Sequence, residues 1–168
     1  MNNKTLIIII TLIIIVFVGL VIWSQSLPKD TSAVLGTNDS QGFLSADETS
    51  YDFGTISMAN KLVNKVFKVT NTTNQEVSID TIVTSCMCTT AYLQGAEGEL
   101  GPFGMPGHGG LAGNRVNETI KPGETRDLKV VFDPNAHGPA GVGAINRSIT
   151  LTGKGGKLQF TIEAVVTP

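Results

Sequence analysis

From Leu6 to Trp23 the chain is apolar, interrupted only by Thr11 and Gly19, and carries no charged side chain. That length suffices to cross a bilayer as a helix, the conformation lipid favours because every backbone polar group must be satisfied internally. Trp23 stands where an interfacial aromatic is expected, and Lys4 with the α-amino group precedes the segment while Lys29 and Asp30 beyond it cancel. The positive-inside rule then puts the N-terminus in the cytoplasm and the rest outside. The expectation is a signal anchor over residues 1–24. A cleaved signal peptide, with a secreted product, is the rival reading, because Ser24 and Ser26 are small residues at an acceptable spacing for signal peptidase. The length of the apolar core favours the anchor.

Residues 25–42 are polar, small and turn-rich without a sustained period, which predicts a flexible tether. Beyond Phe43 the apolar positions recur with the period of two that marks half-buried strands. Phe67 and Val69 alternate with Lys68 and Thr70, and Asn71–Asn74 follows as a turn. Val77, Ile79, Ile82 and Val83 break their own alternation, which predicts a bulge or burial on both faces. Leu128, Val130 and Phe132 share a face, Ile145, Ile149 and Leu151 mark a further strand, and Leu158 to Val166 the last, with Gly153–Gly156 as the hairpin turn between these two. No helical period is sustained beyond the opening segment. The economical architecture is all-β, an antiparallel sandwich of about seven strands over residues 43–168. Residues 94–117, rich in glycine, predict one long loop of the kind that is functional or disordered.

Composition narrows the picture. About 145 residues follow the apolar segment, enough for one domain and too few for two comfortable ones. The net charge of -2 and the lack of any basic cluster make nucleic acid and anionic lipid headgroups poor partners. Nineteen glycines with few aromatics suit a loop-rich β protein. No Ser-His-Asp order, phosphate loop or paired-carboxylate motif is recognisable, so the expectation is a protein that is not an enzyme. Asn71-Thr72-Thr73, Asn117-Glu118-Thr119 and Asn146-Arg147-Ser148 fit the glycosylation pattern, which arises easily by chance.

Tyr51-Asp52-Phe53-Gly54-Thr55-Ile56, Phe67-Lys68-Val69-Thr70-Asn71-Thr72, Thr84-Ser85-Cys86-Met87-Cys88-Thr89, Pro122-Gly123-Glu124 and Val131-Phe132-Asp133-Pro134 together resemble the bacterial DUF1573 family in order and spacing. The likeness spans residues 44–166, with the cysteine motif its most specific element. It implies an immunoglobulin-like sandwich related to the ASPM, SPD-2 and Hydin domains and to major sperm protein. Met87 replaces the glycine usual between the two cysteines, and the insertion after Tyr92 exceeds the short family loop. The family's biochemical role is largely unassigned, so the resemblance informs fold more than activity.

The candidate chemistry rests on two cysteines and two histidines. Cys86 and Cys88 are one residue apart, a spacing that closes a disulfide only as a small strained ring and staples nothing. Outside the membrane such a pair is oxidised, buried or metallated. His108 and His137 both lie in Gly- and Pro-rich segments, and with Cys86, Cys88 and Met105 they make a set of soft ligands suited to copper, or to zinc. Two function classes follow. One is a membrane-tethered binding module that meets an extracytoplasmic protein partner through sheet edges or the Gly-rich loop. The other is a copper-binding or redox protein using these five residues. The plain alternative for the cysteines is packing as small buried side chains.

Overall fold

The computed structural model describes residues 43–108 and 113–168, and the expected anchor and tether lie outside them. Among the described residues no helix is long and apolar enough to cross a membrane. They form ten strands: β1 (Ser45–Ala46), β2 (Ser50–Ser57), β3 (Val63–Thr70), β4 (Val77–Thr84), β5 (Thr89–Gly95), β6 (Gly98–Phe103), β7 (Arg115–Ile120), β8 (Thr125–Phe132), β9 (Gly143–Gly153) and β10 (Gly156–Thr167). These make two five-stranded sheets, in the orders β1-β3-β8-β5-β6 and β2-β10-β9-β4-β7.

The sandwich follows from the alternation. In β10, Leu158, Phe160, Ile162, Ala164 and Val166 are all buried, while Lys157, Gln159, Glu163 and Val165 between them face outward. Every second residue of β8 does the same from Leu128 to Phe132. Phe67 of one sheet meets Phe160 of the other at a ring-centroid distance of 4.8 Å, so the two inner faces interlock across the core. In β4 the buried set changes phase from Val77 and Ile79 to Ile82 and Thr84, and the ladder with β7 slips between Ile79 and Thr81. This is the bulge that the broken alternation predicts.

Three expectations need correction. Ten strands replace about seven, because β1, β6 and β7 carry little apolar alternation of their own. Residues 94–117 are not one long loop: β5 and β6 close a tight hairpin at Gly95 and Gly98, and β7 begins at Arg115, where pairing with β4 far back along the chain makes it a strand. The sandwich is also not wholly antiparallel, since β2 lies parallel to β10, an arrangement that the long connection between them permits.

Candidate functional site

The chain crosses from one sheet to the other between β4 and β5, and Cys86-Met87-Cys88 forms that crossing. A turn closed by the Thr89 amide donating to the Cys86 carbonyl (3.1 Å) shapes it, and Thr84 Oγ1 lies 3.0 Å from the carbonyls of both Cys86 and Thr89. Thr84 and Thr89 are buried, and this hydroxyl, with one proton shared between the two carbonyls, satisfies its own donor within the turn. The flanks are tied as well. The Ser85 amide donates to the Ser148 carbonyl on β9 at 2.9 Å, the Ser148 amide donates to Ser85 Oγ at 2.9 Å, and the Asp133 amide donates to the Cys88 carbonyl at 2.9 Å.

Register brings the second element in. Thr89, the first residue of β5, pairs with Phe132, the last of β8, so the segment after β8 emerges beside the cysteines. Asp133-Pro134 stops β8, because proline donates no ladder hydrogen bond. The chain then turns through Asn135 and Ala136 into a short 3₁₀ turn, Gly138–Gly141, with His137 at its entrance. His137 is exposed, and its Nε2 lies 3.1 Å from Cys86 Sγ.

Cys86 and Cys88 are joined as a disulfide, and among the described residues neither leaves a free thiol. Both are largely buried, at 9% and 3% exposure, next to the exposed His137. Cys88 Sγ receives the Nε–H of Arg147 at 3.4 Å, and the Cys88 amide points at Cys86 Sγ, also at 3.4 Å. The two sulfurs are thus flanked by an imidazole on one side and a guanidinium on the other. Donor atoms of Cys86, Cys88 and His137 all lie within 4.8 Å of one another, the only such group of metal-capable acidic, thiol or imidazole side chains among the described residues.

Of the five residues singled out by sequence, the structure therefore gathers three. His108 and Met105 instead line a separate cleft with Met87. Arg147 escapes sequence reasoning, since its contact with Cys88 spans 59 positions and depends on the pairing of β4 with β9. Ser148, which bonds Ser85, is hidden for the same reason.

Among solved structures, a protein of unknown function from Porphyromonas gingivalis W83 is similar, with a TM-score of 0.54, 15% identity, and coverage of 74% of this chain and 46% of that one. The VesB protease of Vibrio cholerae matches at a TM-score of 0.46 and 15% identity, over 74% of this chain and 32% of that one. The Escherichia coli chaperone DraB matches at a TM-score of 0.38 and 10% identity, over 76% and 56%. The match spans less than half of the first two proteins, and the first, at 15% identity, bears on fold alone. No curated protein matches the chain in sequence. Residues 44–101, which contain the whole cysteine crossing, match the model of the family described as "Protein of unknown function (DUF1573)".

Proposed function

We propose that this chain is a membrane-tethered, extracytoplasmic immunoglobulin-like module that binds Cu(I) through Cys86, Cys88 and His137 once the disulfide is reduced. The observation that carries the reading is the approach of His137 Nε2 to Cys86 Sγ at 3.1 Å, beside the second sulfur. Two thiolates and an imidazole are soft to intermediate donors, the set that suits Cu(I). A structural zinc site wants four protein ligands, and among the described residues the group supplies three, which favours copper over zinc. Arg147 adds a positive charge next to Cys88 Sγ, which offsets the negative charge of two thiolates sharing one ion.

The chemistry balances simply. A dithiol reductant of the thioredoxin class donates two electrons and two protons to the Cys86–Cys88 bond and leaves as its own disulfide. Cu(I) then displaces the two thiol protons, since the thiolate is the ligand form. The copper stays in the +1 state throughout.

The test compares reduced full-length chain, purified in mild detergent without oxygen, with its Cys86→Ser, Cys88→Ser double variant and with His137→Ala. After Cu(I) loading and desalting, the wild type is expected to retain one copper more than the double variant, and His137→Ala to hold that copper more weakly in competition with a chelator. Equal copper in wild type and double variant, with both folded by circular dichroism, overturns the proposal.

The binding-module reading also has an observation in its favour. β1 pairs with β3 only at Val69 and Thr70, while Leu62, just before β3, and Val66 within it are exposed at 60% and 43%. An apolar strand edge of this kind suits β-strand addition by a protein partner. A partner retained unchanged by the double cysteine variant is the result that separates the two functions.

A further inference from the structure

Met87 stands between the two cysteines, yet 53% of its surface is exposed, an uncommon position for a large apolar side chain at the tip of a tight turn. It lines a cleft of 240 Å³ together with Met105 and His108, with Tyr92 and Phe103 in the walls. Met105 and His108 are brought to the same side by their own turn, in which the His108 amide donates to the Met105 carbonyl at 3.1 Å. The two turns are held next to each other, because the Thr84 amide donates to the Gly104 carbonyl at 3.2 Å and the Gly104 amide to Asn114 Oδ1 at 2.9 Å. Two thioethers and an imidazole thus line one open cleft that backs onto the cysteine crossing.

We propose that this cleft is a second, outer Cu(I) station, with Met87, Met105 and His108 as ligands, from which the ion passes to Cys86, Cys88 and His137. The outer half of the proposal stands on the cleft alone, and only the transfer rests on the reading of the cysteine site. Thioether sulfur is neutral, requires no reduction or deprotonation to bind, and selects soft Cu(I) over the hard cations. Thiolates hold the same ion more strongly, so affinity rises from the open cleft towards the buried pair. The path is short, since Met87 is covalently next to both cysteines and neighbouring Cα atoms are about 3.8 Å apart. Transfer is ligand exchange at constant oxidation state: thioether–copper bonds break as thiolate–copper bonds form, and the two thiol protons leave to solvent.

The oxidised chain separates the two stations, because its cysteines are joined and its thioethers are unaffected. Full-length protein with the disulfide intact, titrated anaerobically with Cu(I) in competition with a chromophoric chelator, is expected to bind one equivalent. The Met87→Leu, Met105→Leu double variant and, separately, His108→Gln are expected to weaken or lose it, with unchanged melting in the absence of metal. The fully reduced chain is expected to bind two. X-ray absorption of the singly loaded oxidised form is expected to show sulfur and nitrogen neighbours. No binding by the oxidised chain, or binding that the methionine and histidine variants leave intact, overturns the outer station. One equivalent in both oxidised and reduced chain leaves the outer station standing and removes the cysteine reading together with the transfer.

Discussion

Asn71 shows how much one buried polar side chain can organise. It is fully buried, its Nδ2 donates to the carbonyls of Gln75 and Ile120 at 2.7 and 2.8 Å, and its Oδ1 accepts from the amide and hydroxyl of Thr73. Its backbone is engaged as well, with the carbonyl accepting from Gly123 at 2.8 Å and the amide donating to Glu124 at 3.0 Å. The Pro122-Gly123 turn, where Gly123 has φ 76°, is therefore anchored on the turn that follows β3. Replacing Asn71 with Ala removes the side-chain donor from the buried Ile120 carbonyl, whereas the Gln75 carbonyl keeps Thr73 Oγ1 at 2.9 Å, and a loss of about 1–3 kcal/mol is expected in urea unfolding at neutral pH, the cost of about one orphaned buried group. A change within about 0.5 kcal/mol, the range of an ordinary surface substitution, would contradict this account. The same bonds decide one of the three glycosylation patterns: an Asn71 amide occupied by two carbonyls in the interior presents no acceptor nitrogen in the folded domain.

At the scale of elements, the strands with strong apolar alternation are legible in the sequence, and those that borrow their structure from a partner are not. β3, β4, β8, β9 and β10 fall where the period of two puts them, and even the bulge of β4 shows as a break in that period. β6 instead reads Gly98-Glu99-Leu100-Gly101-Pro102-Phe103, which carries turn residues where a strand would carry branched ones, and only its ladder with β5 makes it a strand. The candidate site divides the same way. The cysteines and His137 are visible as residue types, while their meeting depends on the pairing of β5 with β8, and Arg147 joins through β9. Gly101 tests the hairpin account, because a Cβ there would come within 2.9 Å of the Ala91 carbonyl and its φ is 127°. At Gly104 a Cβ would meet nothing within 4 Å. Gly101→Ala is expected to destabilise the chain by about 2 kcal/mol or more, and Gly104→Ala by no more than about 0.5 kcal/mol, measured by denaturant midpoint at unchanged m-value. Equal effects would place β6 somewhere other than against β5.

For the whole molecule, location determines what the cysteine crossing can be. An anchor over residues 6–23 would hold the sandwich where disulfides persist, so under the proposed function reduction is the event that would open the proposed copper site. The expected outcome on expression in a bacterial host is a full-length mass in the membrane fraction that resists carbonate extraction. A product lighter by about 2–3 kDa and found outside the membrane would indicate a cleaved signal of usual length instead. The parallel pairing of β2 with β10 has a further consequence, in the order of assembly. β10 lies between β2 and β9 in its sheet and supplies Phe160 to the core, so β2 stands apart from β9, β4 and β7 until β10 arrives. Closure must then wait until residue 167 has left the ribosome and, for an exported chain, the translocation channel. In that interval the unpaired edges of β2 and β9 are open to the wrong strand, an opportunity for misassembly that lasts until β10 is available.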